Sequence, residues 1–463
     1  MGKKNLSRKA RGNRHPETAP ELSRRDFMKA AGAVAAFTIV PRHSLGGQGQ
    51  TPPSEKLNIA AIGIGGRGAD VLRGVESQNI VALCDVDWRH AGGTFKRYPN
   101  AKKYRDFREM LDKEEKNIDA VTVATPDHIH AVASMAAIKR GKHVYCEKPL
   151  THSVYEARAL AQAAREHKVA TQMGNQGQAS EETRLMCEYI WAGTIGPVRE
   201  VHVWTDRPLQ GLHDVYWPQG VDRPKETPPV PETLDWDLWL GPAPYRPYHP
   251  CYLPFNWRGW WDFGTGALGD IGCHSLDPVF RALKLGHPTS VEAACTLVNK
   301  ETYPVASTVR YQFPARADFP PVKVTWYDGG LRPPRPDEMD DGEQFGAGGV
   351  LFVGDKGKML GHRLIPESRS KEYGKPPQMI PRSPGHFVEW IEACKGGKPA
   401  GSNFDHAGLL AQVVLLGNVA LRPQLREKLT RAKLQWDSEN MKFTNVPEAN
   451  EFLRREYRQG WTL

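Results

Sequence analysis

The sequence predicts an α/β protein in which a doubly wound parallel sheet is followed by an α+β domain with a large, mainly antiparallel open sheet. Two observations predict this class. Up to about residue 175, short apolar runs alternate with helix-like segments, as in a parallel sheet covered by helices. After residue 288, strand-like runs follow one another with Gly- and Pro-containing turns between them.

The first predicted strand, Leu57–Ile62, leads into a Gly-x-Gly-x-x-Gly turn, after which a helical pattern begins. The turn consists of Gly63, Gly65, Gly66, Arg67 and Gly68. The next apolar run ends in Asp85, 20 residues after Gly65. This context is typical of a Rossmann dinucleotide site, where glycines allow close backbone approach and the helix N-terminus favours a pyrophosphate.

The acidic residue bears on the choice of dinucleotide. Asp85 is expected to accept hydrogen bonds from the adenosine ribose hydroxyls, which favours NAD. Arg67 and Arg89 could instead contact a 2′-phosphate, so NADP remains possible.

Further predicted strands, Ala120–Ala124, His143–Cys146 and Val169–Met173, continue the parallel sheet. Ligands of such sheets lie at the carboxyl ends of the strands. Candidate cofactor contacts there are Thr125, Pro126, His130, Glu147, Lys148 and Asn175. His130, like His128, equally suits a packing role at the start of a helix.

The glycine-rich turn, Thr125-Pro126 and Glu147-Lys148-Pro149 at these spacings resemble the Gfo/Idh/MocA oxidoreductase family, from about residue 55 onwards. The resemblance implies that Lys148 contacts both the nicotinamide ribose and the substrate hydroxyl. It also implies a second domain with an antiparallel sheet and assembly into a homo-oligomer. The alternative for Lys148 is a surface lysine beside a turn.

A second candidate catalytic group lies in GALGDIGCHSLDPVFRAL, residues 266–283. A helix there would place Asp270 and His274 on one face, where a carboxylate could orient an imidazole that acts as general base. The resemblance implies the same two roles, because Asp-x-x-x-His matches the family's dehydrogenase pattern. The alternative is a capping Asp270 and a packing His274. Gly266, Gly269 and Gly272 suggest close approach of another group, such as a nicotinamide.

A long Pro- and Trp-rich stretch, residues 207–263, precedes this segment, and loops of such length are usually functional. Aromatic faces pack on the C–H faces of sugars, and an Arg can bind hydroxyls or a carboxylate. The candidate substrate contacts are Arg258, Trp257, Trp260 and Trp261. The alternative, expected for most of these aromatic residues, is a small hydrophobic core that holds the loop.

Residues 23–41, SRRDFMKAAGAVAAFTIVP, place Arg24-Arg25 before an apolar run that is too short to span a bilayer. This pattern is typical of a twin-arginine signal, which exports folded proteins. A buried N-terminal helix is the alternative, and an uncleaved signal could serve as a membrane anchor. The predicted organisation is signal and linker 1–47, dinucleotide-binding domain 55–175, substrate and oligomerisation domain 176–440, and C-terminal tail 441–463.

Charge and cysteine content exclude other classes. Residues 1–42 hold ten basic and three acidic residues, and thus seven of the nine net positive charges. The remainder is nearly neutral, which argues against a nucleic-acid partner. Seven cysteines without Cys-x-x-Cys spacing indicate neither a disulfide framework nor a metal site.

The sequence therefore predicts an exported, periplasmic NAD(P)-dependent oxidoreductase that acts on a hydroxyl of a sugar, polyol or glycoside by hydride transfer. Because free dinucleotides should be scarce outside the cytoplasm, the cofactor is expected to be tightly bound. The expected partners are a carbohydrate substrate and the twin-arginine export machinery. The alternative is a redox-neutral NAD-dependent glycosidase that uses transient oxidation, and a catalytically dead sugar-binding homologue is a third interpretation.

Overall fold

In the computed structural model, which describes residues 55–211, 214–428 and 433–463, the first part of the chain builds a six-stranded parallel sheet. Its strands are β1 Asn58–Ile62, β2 Asn79–Cys84, β3 Lys102–Tyr104, β4 Ala120–Val123, β5 His143–Cys146 and β6 Thr171–Met173. The order is β3-β2-β1-β4-β5-β6, so the direction of winding reverses between β1 and β4. A crevice forms at the carboxyl ends of strands at such a reversal.

Five helices connect these strands. They are α1 Arg67–Val75, α2 Gly92–Arg97, α3 Phe107–Glu114, α4 Asp127–Lys139 and α5 Val154–Glu166. Local sequence fixes their starts: Ser153 and Glu156 form a reciprocal capping box at α5, and the Asp106 side chain accepts from the Arg108 N–H at α3. β4 is buried along its whole length, as expected where helices cover both faces.

The second sheet has nine strands in the order β15-β14-β13-β7-β12-β11-β10-β16-β17. The strands are β7 Val198–Thr205, β10 Ser290–Cys295, β11 Ser307–Phe313, β12 Val322–Tyr327, β13 Gly348–Gly354, β14 Gly357–Leu360, β15 Arg363–Ile365, β16 Leu434–Asp437 and β17 Lys442–Phe443. Only the β7–β12 pair is parallel. This confirms the predicted α/β class with a mainly antiparallel second sheet.

The remaining helices lie in the chain between the second sheet's strands or before it, and one of them, His386–Cys394, packs against the helix Arg67–Val75 and the strand Thr171–Met173 of the first sheet's layer. They are α6 Glu181–Trp191, α7 Trp236–Leu240, α8 Gly266–Ser275, α9 Asp277–Leu283, α10 Glu367–Tyr373, α11 His386–Cys394, α12 Phe404–Ala420 and α13 Pro423–Lys428. Helix α12 is buried on nearly every side and packs against α5 and α8. It therefore joins the layer of the first sheet to the helix that carries Asp270 and His274.

The Pro- and Trp-rich stretch contains little regular structure: a two-stranded ribbon (β8 Leu209–Gln210, β9 Asp214–Val215), α7 and two 3₁₀ turns, Pro250–Tyr252 and Asn256–Gly259. Its aromatic side chains form a separate buried cluster, which includes Trp236 stacked on Trp239 with ring centroids 4.8 Å apart. This cluster holds the loop beside the carboxyl ends of the parallel strands.

The signal and linker predicted at residues 1–47 lie outside the described residues, the first of which is residue 55. Among the described residues, no helix has both the length and the apolar character to cross a bilayer. All seven cysteines carry free thiols.

Candidate active site

The glycine-rich turn between β1 and α1 has the shape that close backbone approach requires. Gly63 has a φ of 74°, and a Cβ there would lie 2.8 Å from the main chain of Ala124. A Cβ on Gly68 would overlap the main-chain oxygen of Gly63, so Gly68 lets α1 pack against the turn. The members of the turn that line the adjoining cleft are Gly63, Gly65, Gly66 and Arg67.

Asp85 follows β2 and supports the turn from behind. Its Oδ2 accepts hydrogen bonds from the N–H groups of Ile64 at 2.8 Å and Gly65 at 3.2 Å, and its Oδ1 accepts from the Asp87 N–H at 2.9 Å. Burial raises the pKa of Asp85, and these hydrogen bonds oppose the rise. Asp85 borders the cleft as predicted, but its carboxylate also shapes the turn.

His90 also lies against the turn, and no sequence pattern singled it out. A Cβ on Gly65 would overlap the His90 ring, and the ring lines the cleft. The glycine at position 65 therefore makes room for a protein side chain as well as for backbone approach. Arg89, in contrast, is exposed and does not line the cleft.

Glu147 and Arg67 connect the turn to the end of β5. Arg67 Nε donates to Glu147 Oε1 at 2.9 Å, and Gln176 Nε2 donates to the same oxygen at 3.1 Å. A Cβ on Gly174 would lie 2.5 Å from the Glu147 carboxyl, so this group fits closely against the chain after β6. Glu147 is thus satisfied by protein contacts and fixes the backbone that presents Lys148.

Lys148, Asp270 and Arg258 form a buried ion cluster. Lys148 Nζ donates to Asp270 Oδ1 at 2.7 Å and to its main-chain oxygen at 3.0 Å, and Arg258 Nε donates to the same Oδ1 at 2.8 Å. Burial disfavours the carboxylate, but the two cations outweigh this and hold the pKa of Asp270 well below its usual range. One carboxylate therefore joins a strand end, a helix and the aromatic loop.

His274 lies one helical turn after Asp270 in α8, at the edge of this cluster. Burial lowers the pKa of His274 to about 3, the charge of Lys148 lowers it further, and Asp270 opposes the shift. The predicted pairing of Asp270 with His274 is wrong, because Lys148 and Arg258 occupy the carboxylate and the imidazole makes no hydrogen bond to any described residue. The ring is neutral near pH 7.

Asp127 is a buried acid beside the cluster that the sequence analysis missed. Its Oδ2 accepts from Thr265 Oγ1 at 2.6 Å, whereas its Oδ1 is buried without a described partner. Burial raises the pKa of Asp127 to about 7, while Thr265, Arg258 and Lys148 act against the rise. Asp127 follows Thr125-Pro126 directly, so its place at the strand end could have been inferred.

The cleft extends from the glycine-rich turn to Arg258, whereas Lys148, Asp270 and His274 are not among its lining residues, and it encloses about 1180 Å³, open solvent at its mouth included. Arg258 belongs to both regions, because it lines the cleft and bonds to Asp270. Its guanidinium lies 4.2 Å from the ring centroid of Phe255 and 4.3 Å from that of Trp257, and both rings also line the cleft.

Two predicted substrate contacts do not reach the cleft. Trp260 is 1% exposed and packs in the aromatic cluster of the loop, and Trp261 is 3% exposed and packs with its ring centroid 3.6 Å from that of Tyr303. The prediction for these two is corrected to a core role, which the sequence analysis had expected for most aromatic residues of the stretch. Trp257 and Arg258 lie at the cleft as predicted.

Of the remaining candidates, His130 has a packing role. Its Nδ1 lies 2.7 Å from the main-chain oxygen of Pro149 and its Nε2 lies 2.8 Å from that of Thr125, so the ring braces two strand ends and does not line the cleft. Thr125 and Pro126 do line it. Asn175 is buried beside Cys273, with Nδ2 3.4 Å from the main-chain oxygen of that residue.

The residues present fit a dinucleotide on three grounds. The cleft borders a turn with three glycines at positions that exclude a Cβ, and α1 begins there without a side-chain cap for its N–H groups. Thr125 Oγ1 and Asn175 Oδ1 are buried and have no hydrogen-bond partner among the described residues. The ion cluster places positive charge at the far end, by the end of β5.

Family models match three parts of the chain. A Gfo/Idh/MocA model described as oxidoreductase family, NAD-binding Rossmann fold, matches residues 57–175. A second, described as oxidoreductase family, C-terminal alpha/beta domain, matches residues 210–318. A model of the twin-arginine translocation pathway signal sequence matches residues 21–41, outside the described residues.

Individual curated relatives are similar to this chain over about a third of its length, at about 30% identity. A levoglucosan dehydrogenase of Pseudarthrobacter phenanthrenivorans is 30% identical over 172 residues, which are 37% of this chain and 34% of that protein. A glycosyl hydrolase family 109 protein of Stenotrophomonas maltophilia is 31% identical over 140 residues, 27% of this chain and 29% of that protein. The chain thus spans about a third of the length of these curated relatives.

The fold also recurs among solved structures. The WlbA dehydrogenase of Bordetella pertussis, solved in complex with NADH and UDP-GlcNAcA, aligns with a TM-score of 0.55 and 16% identity. The alignment covers 82% of this chain and 100% of that chain. At this identity the likeness establishes a shared fold.

Proposed function

We propose that the chain, which belongs to the Gfo/Idh/MocA oxidoreductase family, is an exported NAD(P)-dependent oxidoreductase. It acts on a CH–OH group of a sugar, polyol or glycoside. The observation that carries the proposal is the ion cluster, in which Asp270 bonds both to Lys148 at the end of β5 and to Arg258, which lines the cleft at the glycine-rich turn. This cluster connects the proposed reaction site, which is cationic and partly buried, to the cleft proposed for the dinucleotide.

The groups proposed to hold the cofactor are Gly63, Gly65, Gly66, Arg67, Asp85, Thr125, Pro126 and Asn175, with Lys148 at the reacting end. When bound, the nicotinamide supplies a hydride acceptor for the carbon that bears the hydroxyl. The N–H groups at the start of α1 suit the pyrophosphate, and the cleft side of Asp85 suits a ribose hydroxyl. We assign NAD as the main cofactor. We also propose that NAD is tightly bound, because a protein exported in the folded state with its cofactor must retain that cofactor.

The ion cluster supports a division of catalytic labour. Lys148 Nζ donates to a substrate hydroxyl oxygen and stabilises the negative charge that develops there. Asp270 holds Lys148 and Arg258 in place, because its carboxylate accepts from both. His274 is neutral at pH 7, because burial lowers its pKa to about 3, and it is the base proposed to accept the hydroxyl proton, although this low pKa makes it a weak base in the unliganded protein.

The loop side of the cleft supports a carbohydrate as substrate. Trp257 and Phe255 present apolar ring surface, and Arg258 provides guanidinium donors beside it. Sugar rings offer C–H faces to aromatic side chains and hydroxyl oxygens to such donors. The match of residues 21–41 to a twin-arginine signal supports a periplasmic or otherwise exported location.

The experiment is to purify the exported protein, denature it, and identify any released dinucleotide by mass spectrometry. The intact protein is then given free sugars and polyols, and separately nitrophenyl glycosides. The proposal predicts bound NAD(H) whose nicotinamide becomes reduced when a free sugar or polyol is added.

Two results would contradict the proposal. Release of nitrophenol without net reduction of the dinucleotide would identify a redox-neutral glycosidase, a function that the match to the family 109 protein keeps open. Failure to retain or bind NAD(H) and NADP(H) would identify a homologue that keeps the fold without the chemistry.

A further inference from the structure

The segment from Leu453 to Leu463 runs back across the first sheet's layer and finishes beside the cleft. Arg455 Nε and Tyr457 Oη both donate to Glu156 Oε1 in α5, at 2.9 and 2.6 Å. Farther along, the Arg458 N–H donates to the Pro242 main-chain oxygen at 3.1 Å. The segment is thus fixed to two parts of the chain far from it in sequence.

Trp461 is the residue of this segment that reaches the cleft. Its side chain is 9% exposed and lines the cleft, its ring centroid lies 6.0 Å from that of Phe107, and the Arg108 guanidinium lies 4.3 Å from its centroid. The flanking backbone is tied down, because Arg108 Nη1 donates to the Gly460 oxygen at 3.4 Å and Lys139 Nζ to that of Leu463 at 2.8 Å.

The position of Trp461 along the cleft follows from the strand order. Phe107 comes just after β3, and Asp85 just after β2, on one side of the glycine-rich turn. Lys148 follows β5, on the other side. The acid after the second strand marks the adenosine half of a dinucleotide. Phe107 and Trp461 therefore lie at the adenosine end of the cleft, away from the reacting carbon.

We propose that the 453–463 segment forms a wall of the adenosine subsite, in which Trp461 contacts the adenine ring and slows release of the dinucleotide. The proposal rests on the proposed function, because it requires that the cleft bind a dinucleotide. An indole held by Phe107 and Arg108 offers a fixed aromatic surface, and aromatic stacking on a base does not depend on which hydroxyl chemistry follows. It gives the chain a physical means to keep its cofactor after export.

The test is the rate at which bound NADH leaves the full-length protein when excess ADP-ribose is added, followed by NADH fluorescence. Trp461→Ala should release NADH about tenfold faster or more, and Trp461→Phe, which keeps an aromatic face, should stay within about threefold of wild type. Trp461→Leu keeps an apolar side chain against Phe107 and should behave like the alanine variant. Affinity for nicotinamide mononucleotide, which lacks the adenosine half, should be the same in all variants.

The control is Tyr373→Ala in α10, an exposed aromatic residue that belongs neither to the cleft lining nor to the 453–463 segment, and it should release NADH at the wild-type rate. Unchanged release in both Trp461→Ala and Trp461→Leu would overturn the proposal while the proposed function stands. If Trp461→Ala weakened the binding of ADP-ribose and of nicotinamide mononucleotide equally, the proposal would also be overturned. That result would indicate a general loosening of the cleft. Absence of any dinucleotide binding by wild-type protein would instead overturn the proposed function.

Discussion

At the scale of single residues, the site is organised by one carboxylate with two cationic partners. Asp270 is 6% exposed and accepts from both Lys148 and Arg258, so the buried charge is compensated in place. The cluster has two cations for one carboxylate, so removing Asp270 would leave two buried cations without a counter-charge. The two hydrogen bonds from Lys148 to Asp270 hold this lysine in a fixed position at the end of β5.

Replacing Lys148 with Met keeps the length of the side chain and removes the charge. We expect kcat to fall at least about 100-fold, because the developing negative charge on the substrate oxygen loses its donor. Steady-state kinetics with a sugar or polyol that reduces the bound dinucleotide of the wild type provides the measurement. Lys323→Met, which loses an ion pair to Glu200 on the second sheet, is the control, and an active Lys148 variant would show that this lysine is not at the reaction site.

His274→Ala removes the neutral imidazole while leaving the ion cluster intact. We expect turnover to fall about 100- to 10,000-fold, the range for loss of a general base, with dinucleotide content unchanged. Turnover and cofactor content are measured on the same preparations, with the exposed His362→Ala as control. Loss of cofactor together with a lower unfolding temperature would assign His274 a packing role instead.

Asp127 makes a prediction about pH, because burial raises its pKa to about 7. A raised carboxyl pKa stabilises the folded state below about pH 4, and this contribution disappears as the pH rises through 7. The free energy of unfolding of wild type relative to Asp127→Asn should therefore fall between pH 5 and 7, by at most about 1.4 kcal/mol per pH unit. Urea unfolding at several pH values measures it, and a constant difference would contradict the assignment.

The sequence predicted which residues meet at the site better than how they are bonded. Lys148, Asp270 and His274 were identified because each lies at a strand end or in a one-turn spacing. The bond from Asp270 to Arg258 could not be predicted, since residues 207–263 have no periodicity that fixes where Arg258 points. The same loop misled the prediction for Trp260 and Trp261, whose burial depends on packing with residues far along the chain.

At the scale of elements, helix α8 is placed by its first turn. Thr265 precedes the helix, and its hydroxyl donates to Asp127 at the start of α4 while its main-chain oxygen accepts from Asn418 Nδ2 at 2.8 Å. Gly269 lies against Thr265, since a Cβ there would overlap its Oγ1. Gly266 likewise lies against the Tyr303 ring, so protein packing accounts for these two glycines, and the approach of a nicotinamide to α8 stays a prediction.

Gly269→Ala tests this placement. The added methyl group must displace the Thr265 hydroxyl from Asp127, and we expect a loss of roughly 1 to 3 kcal/mol in the free energy of unfolding. Gly272→Ala is the control, because its Cβ would lie 3.3 Å from Leu268 and 3.4 Å from Val414, which can move slightly, and alanine favours the helix. Equal effects in chemical unfolding would show that Thr265 does not position α8.

Elements with a local signal were predicted well, and those defined by distant contacts were not. β5 has the predicted bounds because an apolar run lies between two helical patterns, and α5 begins at a capping box that can be read in the sequence. The insertion of β7 between β13 and β12 could not be predicted, since no local pattern specifies the partner of a strand.

At the scale of the whole molecule, the cleft is assembled from segments spread over some 400 residues. The glycine-rich turn, the chain after β2 and β3, the aromatic loop and the 453–463 segment each contribute to its lining. The cleft is therefore complete only when the parallel sheet, the aromatic loop and the 453–463 segment are all in place. This agrees with a twin-arginine signal, whose pathway carries proteins that are already folded.

In the proposed reaction, a substrate carbon beside Lys148 and His274 gives a hydride to a bound nicotinamide dinucleotide. A single turnover with a substrate deuterated at its carbinol carbons, followed by denaturation and mass spectrometry of the released dinucleotide, tests this transfer. Wild type should yield reduced dinucleotide that carries one deuterium, and Lys148→Met should yield almost none. Unlabelled dinucleotide, from a wild-type protein that nevertheless converts the substrate, would contradict it.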